Sequence, residues 1–294
     1  MRGLKLDQLQ TFTEVIARGS FSAAAERLQL SQPAVSLQVR ELERRLGVRL
    51  IERVGKRATP TAAGTALLGH ARRIGDAVST ALDDVAGYRG GEAGRLRIGT
   101  GATASIYLLP PVLRDLKRRF AKLEITVRTG NTADVLRDLE DNAVDMAFVT
   151  LPAAGRAFDV TPVLQDAYVA IAAADDDRLP DVATPAALAG LPLVLYEVGG
   201  NTRRIVDAWF AEAGVAPTPV MDLGSVEAIK ELVGAGLGCG VLPEIAVRDA
   251  GARSPIIARP LSPRLHRTLA LVLRRDKVLT KGLRAAVEAV RQLA

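Results

Sequence analysis

Between Ser31 and Gly47 the apolar residues Val35, Val39, Leu42 and Leu46 recur at 4-3-4 spacing, which puts them on one buried stripe of a helix. Ser31 suits the N-cap, Pro33 the first turn and Gly47 the C-terminal end. The opposite face carries Gln32, Ser36, Gln38 and Arg40, groups that suit base edges and phosphates. An ordinary amphipathic helix shows the same division, so the neighbouring pattern decides. Just upstream, Phe21, Ala24, Ala25 and Leu28 predict a short helix with small residues where another helix must come close. The tight connection Gln29-Leu30 joins the two in helix-turn-helix fashion. Leu6, Leu9, Phe12, Val15 and Ile16 mark a third helix, which Gly19-Ser20 ends.

After this helical core, Arg49 to Arg53 and Arg57 to Thr59 predict a two-stranded wing, with Gly55 at its turn and Arg53, Lys56 and Arg57 at its basic tip. A solvated charged loop is the plainer alternative. From Thr61 to about Gly87 the pattern becomes one long helix. Its Leu67, Ala71, Ile74, Val78, Ala81 and Val85 form an a/d seam at 4-3-4-3-4 spacing. Such a seam needs a partner helix; packing onto its own domain is the plainer alternative, but Arg72, Arg73, Asp76, Asp83 and Asp84 leave one apolar stripe, which a helix-helix dimer explains better. The cluster Tyr88 to Gly94 then reads as a hinge.

Beyond the hinge the chain alternates strand and helix, which predicts an α/β domain with largely parallel sheets. Strands are expected at Leu96–Gly99, Ile125–Val127, Val144–Val149, Tyr168–Ala172, Leu193–Tyr196, Val220–Met221, Gly240–Leu242 and Leu269–Leu273. Helices are expected at Ile106–Phe120, Ala133–Glu140, Arg203–Ala213, Val226–Val233 and Lys281–Leu293. Four strand-to-helix transitions carry small hydroxyl or amide residues. They are Thr100-Gly101-Ala102-Thr103, Gly130-Asn131-Thr132, Gly200-Asn201-Thr202 and Gly224-Ser225. Each places a capping side chain and free N–H groups at a helix start, so each is either a plain cap or part of an anion site.

Composition narrows the chemistry. The 294 residues carry a net charge of +6, and residues 1–60 hold eleven basic against six acidic side chains, a local excess of +5 that favours a polyanion. The single Cys239 excludes an intramolecular disulfide and, among glycines, reads as a buried small hydrophobe, with a redox-sensing thiol as the sharper alternative. Two histidines, His70 and His266, and one thiol are too few for a transition-metal site, so no metal and no cofactor is expected. No catalytic fingerprint is found, and no catalytic residue is assigned. Without a signal peptide or an apolar run of about 18 residues, the chain is expected to be soluble and cytoplasmic, with no membrane contact.

Leu9-Gln10-Thr11-Phe12, Gly19 to Ala25, Leu28 to Ser36, Leu42-Glu43, Leu46-Gly47 and Pro60-Thr61-Ala62-Ala63-Gly64 together resemble the N-terminal module of the LysR-type transcriptional regulators. Two positions depart from the family pattern: Ile51 stands where Phe is usual, and Leu37 where many members carry Arg. The resemblance implies a DNA-contacting set of Ser31, Gln32, Pro33, Ser36, Leu37, Gln38 and Arg40 on the helix, with Arg53, Lys56 and Arg57 on the wing. It also implies double-stranded DNA with a pseudo-palindromic operator, a homodimer through the linker helix, and a homotetramer. RNA polymerase is left open as a further partner.

The C-terminal half is similar to the effector domain of that family, itself like periplasmic solute-binding proteins. The expected architecture is α/β: a winged helix-turn-helix (1–60), a linker helix and hinge (61–94), and a two-lobed effector domain (95–294). Lobe 1 would hold about 95–161 and 267–294, and lobe 2 about 162–266. The resemblance brings the four transitions together between the lobes. Thr100, Gly101, Ala102, Thr103, Asn131, Thr132, Thr150, Asn201, Thr202 and Ser225 are then the candidate contacts to a small effector, with a carboxylate the best match. Arg203 could reach that carboxylate or be a solvated helix cation. The implied function is ligand-responsive transcription regulation; the alternative is a solute-binding or enzymatic α/β domain tethered to DNA.

Overall fold

The computed structural model describes residues 4–54, 57–87, 94–248 and 255–293. The chain forms two compact units, Met1–Val85 and Ala86–Ala294.

The first unit begins with helices α1 (Leu6–Arg18), α2 (Phe21–Leu28) and α3 (Gln32–Leu46). Ser20 caps α2 by accepting from Ala23 N at 3.4 Å, and Ser31 caps α3 by accepting from Ala34 N at 3.3 Å. Left-handed Gly19, Gln29 and Gly47 close the three C-termini. The shared core is Leu9, Phe12, Val15, Ala24, Ala25, Val35, Val39 and Leu42. Leu6 and Leu46, expected on the buried stripes, are exposed, because each sits at a helix end beyond the packed layer. The wing is β1 (Ile51–Val54) paired antiparallel with β2 (Arg57–Pro60). Glu43 holds its base, accepting from Leu50 N at 2.8 Å and Ile51 N at 3.1 Å.

The long helix α4 (Ala62–Gly87) starts hard against the wing. A Cβ on Gly64 would stand 2.0 Å from the Leu50 carbonyl oxygen, so the close approach requires glycine. Leu67, Ala71 and Ile74 pack on the helix-turn-helix core. The first half of the seam is thus covered by its own unit, and the open apolar stripe lies further on. There Leu82 is 66% and Val85 62% exposed, Ala81 is exposed, and Val78 is partly so. The hinge residues 88–93 lie outside the described residues.

The second unit has two lobes. Lobe 1 contains β3 (Arg95–Thr100), α5 (Ala102–Tyr107), α6 (Leu109–Arg119), β4 (Glu124–Thr129), α7 (Thr132–Glu140) and β5 (Met146–Thr150). The chain then crosses on β6 (Phe158–Ala173) into lobe 2. That lobe holds α8 (Pro185–Ala189), β7 (Leu193–Tyr196), α9 (Asn201–Glu212), β8 (Met221–Leu223), α10 (Val226–Gly234), β9 (Cys239–Pro243) and β10 (Ile256–Pro260). It returns on β11 (His266–Arg274) and ends with α11 (Lys281–Arg291). The strand order is β4-β3-β5-β11-β6-β9-β7-β8, with β10 also on β6.

Several sequence expectations are corrected here. The sheets are mixed: β3 pairs parallel with β4 and β5, and β7 with β8 and β9. Both crossing strands pair antiparallel with their neighbours, β11 with β5 and β6, and β6 with β9 and β10. The strand expected at Tyr168–Ala172 is the end of the 16-residue β6, whose first half mixes apolar with polar residues and contains Pro162. The helix expected at Ile106–Phe120 is two helices, because Pro110 and Pro111 lack the N–H groups to continue α5 and fit only a new first turn. Helix α8 and strand β10 had no counterpart among the expected elements.

A polar knot ties lobe 1 together. Asp145 accepts from Arg97 N and Nη2 and from Lys277 Nζ, each at 2.8 Å, with all three side chains nearly buried. Burial alone would raise the Asp145 pKa, but the Arg97 hydrogen bonds and the Lys277 charge outweigh it and hold the carboxyl below its usual range. A depressed native pKa gives stability that is present above the unfolded value of about 4 and is lost as pH falls through the native one. Asp145→Asn leaves two cations without their anion and should cost about 3 kcal/mol at neutral pH. It should also flatten the acid dependence. Urea unfolding of both proteins at neutral and acid pH measures the two effects.

Candidate functional sites

On α3, Gln32 and Arg40 are exposed and Ser36 half-buried, and their i, i+4, i+8 spacing makes one outward ridge. Arg40 reaches back to Ser36, with Nε 3.4 Å from the carbonyl and Nη2 3.3 Å from Oγ. Ser31, Pro33 and Leu37 flank the ridge and are exposed. Gln38 is differently placed: its Oε1 accepts from the Thr11 hydroxyl, so part of its amide is committed inside the domain. On the wing, Arg57 is exposed and Arg53 stands opposite Ala58 on β1. Lys56 and the Arg53 side chain lie outside what the structure describes.

In the second unit a cavity of about 330 Å³ opens between the lobes, where the parallel strands end and the helices begin. Lobe 1 lines it with Gly101 to Ala104, Thr129 to Thr132, Phe148 and Thr150. Lobe 2 adds Tyr196 to Val198, Gly200 to Arg203 and Gly224. Arg267 and Leu269 of the crossing strand β11 complete the wall.

Eight candidate effector contacts therefore meet at one cavity: Gly101, Ala102, Thr103, Asn131, Thr132, Thr150, Asn201 and Thr202. Two do not. Thr100 is fully buried and donates its hydroxyl to Phe148 O at 2.7 Å, because the last residue of β3 faces the neighbouring strand. Ser225 spends its Oγ capping α10 through Ala228 N at 3.4 Å, and its neighbour Gly224 lines the cavity instead. The expected cap side chains are found at α7 and α10, where Asn131 accepts from Asp134 N at 2.9 Å. Helices α5 and α9 start from Gly101 and Gly200, which have no side chain to cap with.

Hydrogen bonding sorts the remaining side chains. Thr132 donates to Thr150 O at 2.9 Å. Asn201 spans the lobes, donating to Thr150 O at 2.7 Å and Pro152 O at 3.0 Å, and its Oδ1 accepts from Arg204. Arg203 is neither solvated nor free: it pairs with Asp207 at 2.8 Å and Asp222 at 2.5 Å and donates to Tyr196 O at 2.5 Å. These groups build the cavity. Thr103 and Thr202, from opposite lobes, keep hydroxyls that are not committed to a backbone group.

Sequence reasoning missed Tyr196 and Arg267. Arg267 is 3% exposed, and its Nε and Nη2 donate to Asp166 Oδ2 at 2.9 and 2.8 Å. A cation two residues before the apolar run that starts at Leu269 was the available signal; its inward direction depended on pairing with β6.

A three-helix head with a basic wing and a two-lobed α/β domain around a polar cavity define a class, the ligand-sensing DNA-binding regulator. The chain belongs to the LysR family of bacterial transcriptional regulators. Residues 6–65 match the model described as bacterial regulatory helix-turn-helix protein, lysR family, and residues 89–294 match LysR substrate binding domain. The chain is 35% identical over 284 residues to the uncharacterized HTH-type transcriptional regulator YeiE of Escherichia coli (strain K12), covering 96% of this chain and 95% of that protein. It is 32% identical to the HTH-type transcriptional regulator CbbR of Xanthobacter flavus, over 94% and 84% of the two chains. The crystal structure of CbnR, a LysR family transcriptional regulator, has the same fold, with a TM-score of 0.78, 23% identity and 99% of each chain covered. The protein is thus a regulator that binds double-stranded DNA and carries an effector-binding domain, and its relatives are regulators rather than enzymes. Among the described residues no helix is long and apolar enough to cross a membrane.

Proposed function

We propose that this regulator works in the cytoplasm and answers to a small anionic metabolite, a carboxylate being the simplest, bound between the lobes of its second unit. The observation that carries this reading is the cavity itself: Thr103 and Thr202 approach it from opposite lobes, beside an α9 N-terminus that has no side-chain cap. In the head, Gln32 and Ser36 read bases, while Arg40 and the wing cations Arg53, Lys56 and Arg57 hold phosphates. The open stripe of α4, Val78, Ala81, Leu82 and Val85, pairs two chains. Two recognition helices then meet half-sites of a pseudo-palindrome about one helical turn apart. By family likeness two such dimers make a tetramer, and RNA polymerase is a further partner at the promoter.

The test is gel-shift titration of operator DNA with and without a panel of small carboxylates: a carboxylate should change affinity or footprint, and Thr103→Val should weaken that response. Losing one hydrogen bond to a charged group costs about 1.5–3 kcal/mol, or roughly ten- to a hundredfold in effector affinity. An unaltered response in the folded variant removes Thr103 from the site.

Gln32→Ala should reduce discrimination between operator and random DNA by about 1–3 kcal/mol, measured by competition binding, whereas a phosphate contact would weaken both equally. Replacing Leu82 and Val85 together with Lys puts charge into the pairing stripe and should dissociate the dimer or lower operator affinity. Sedimentation velocity showing the same assembly in the double variant would contradict the pairing.

A further inference from the structure

The deep wall of the cavity and the layer behind it contain polar groups that the protein leaves unused. Tyr196 lines the cavity, and its hydroxyl is shut off from solvent with no hydrogen-bond partner. The Tyr168 hydroxyl, in a residue that does not line the cavity but lies beside Thr202, which does, is likewise shut off and without a partner, and Tyr168 is only 2% exposed. Tyr168 lies two positions after Asp166 on β6, so both point to one face of that strand. Arg267 stands opposite Asp166 in the antiparallel register and shares that face. The Asp166 pair uses Nε and Nη2 of Arg267, and Nη1 has no partner among the described residues. The Thr103 hydroxyl lies beside that of Tyr196, and the Thr202 hydroxyl beside that of Tyr168, without bonds of good geometry.

Buried hydroxyls without partners are rare because each forfeits its hydration and gains nothing in return. Here two occur together, next to the Arg267 guanidinium, whose Nη1 has no partner among the described residues. Burial pushes both phenols up, Tyr196 to about 12, although the Arg267 charge pulls the other way. At physiological pH both are therefore O–H donors rather than phenolates. Both Asp166 oxygens are engaged by the protein, Oδ2 by two Arg267 donors and Oδ1 by Ile245 N at 3.3 Å. The deep end is therefore rich in donors and suits a group that only accepts.

We propose that Arg267 Nη1 and the hydroxyls of Tyr196 and Tyr168 recognise the charged head of the effector, an oxyanion, and are paired only when it is bound. This rests on the cleft reading above and names the groups that select the head. A carboxylate and a tetrahedral sulfur or phosphorus oxyanion share the required chemistry: several acceptor oxygens, one negative head and no hydrogen to donate. An amide or an ammonium head would bring donors against donors.

The full-length protein, titrated calorimetrically in Tris chloride at constant ionic strength, tests this with sodium acetate, sulfate and phosphate, and with neutral acetamide as reference. At least one anion should bind saturably and acetamide should not; preference for acetate marks a carboxylate head, and preference for sulfate or phosphate a tetrahedral one. Tyr196→Phe and Tyr168→Phe remove only the unpaired hydroxyls. Each should raise the ligand-free melting temperature while weakening the preferred anion by about tenfold or more. A merely structural tyrosine would not move these two readouts in opposite directions. The proposal is overturned if no anion binds, if acetamide binds as well, or if both Phe variants keep wild-type anion affinity or melt lower without ligand. If Thr202→Val weakens an anion that both Phe variants hold normally, the cleft reading stands and this one falls. If an anion binds but neither Thr202→Val nor the Phe variants alter it, both readings fall.

Discussion

The effector-binding unit depends on one buried ion pair. Asp166 and Arg267 sit opposite each other on the two strands that carry the chain from one lobe to the other and back. Removing two charges from water is costly unless the geometry is good and the remaining lone pairs are used. Both conditions are met, because Asp166 accepts twice from the guanidinium and once from the backbone of Ile245. The pair holds the crossing strands in register and at the same time fixes the direction of a cation in the cavity wall.

Around that crossing, further contacts join the lobes directly. Asn201 of lobe 2 binds two carbonyls at the end of lobe 1. Tyr107, at the C-terminal end of α5, packs against the cores of both lobes and accepts from Lys230 Nζ of α10 at 2.9 Å. Helix α5 thus has Thr103 at the cavity and an interlobe contact at its far end.

The head is built on the same economy of few polar anchors. Glu43 stands on the recognition helix and its carboxylate fixes the first strand of the wing. Gly64 lets α4 begin in contact with the Leu50 carbonyl. These two residues join the wing, α3 and α4 into one unit.

Local patterns in the sequence determined a good deal. The cap Ser31, the break at Gly19-Ser20, Gly47 and the 3.6-residue periodicity placed the three helices of the head within a residue or two, because these signals act over a single turn. In the second unit, Leu193–Tyr196 was legible as a strand between turn residues, and the Gly, Thr and Asn clusters at the strand ends marked the loops that line the cavity. Tertiary structure decided what depended on distant partners. The stretch 158–167, interrupted by Pro162, is not recognised as strand until β11 pairs with it, and only that pairing turns Arg267 inward. The seam of α4 looks uniform along the chain, yet Leu67, Ala71 and Ile74 are covered by helices folded from residues far upstream while Leu82 and Val85 are not. Thr100 and Thr103 are alike in sequence, three positions apart; one faces a neighbouring strand and the other the cavity. Hydrogen-bond partners across 48 residues, not local propensity, separate them.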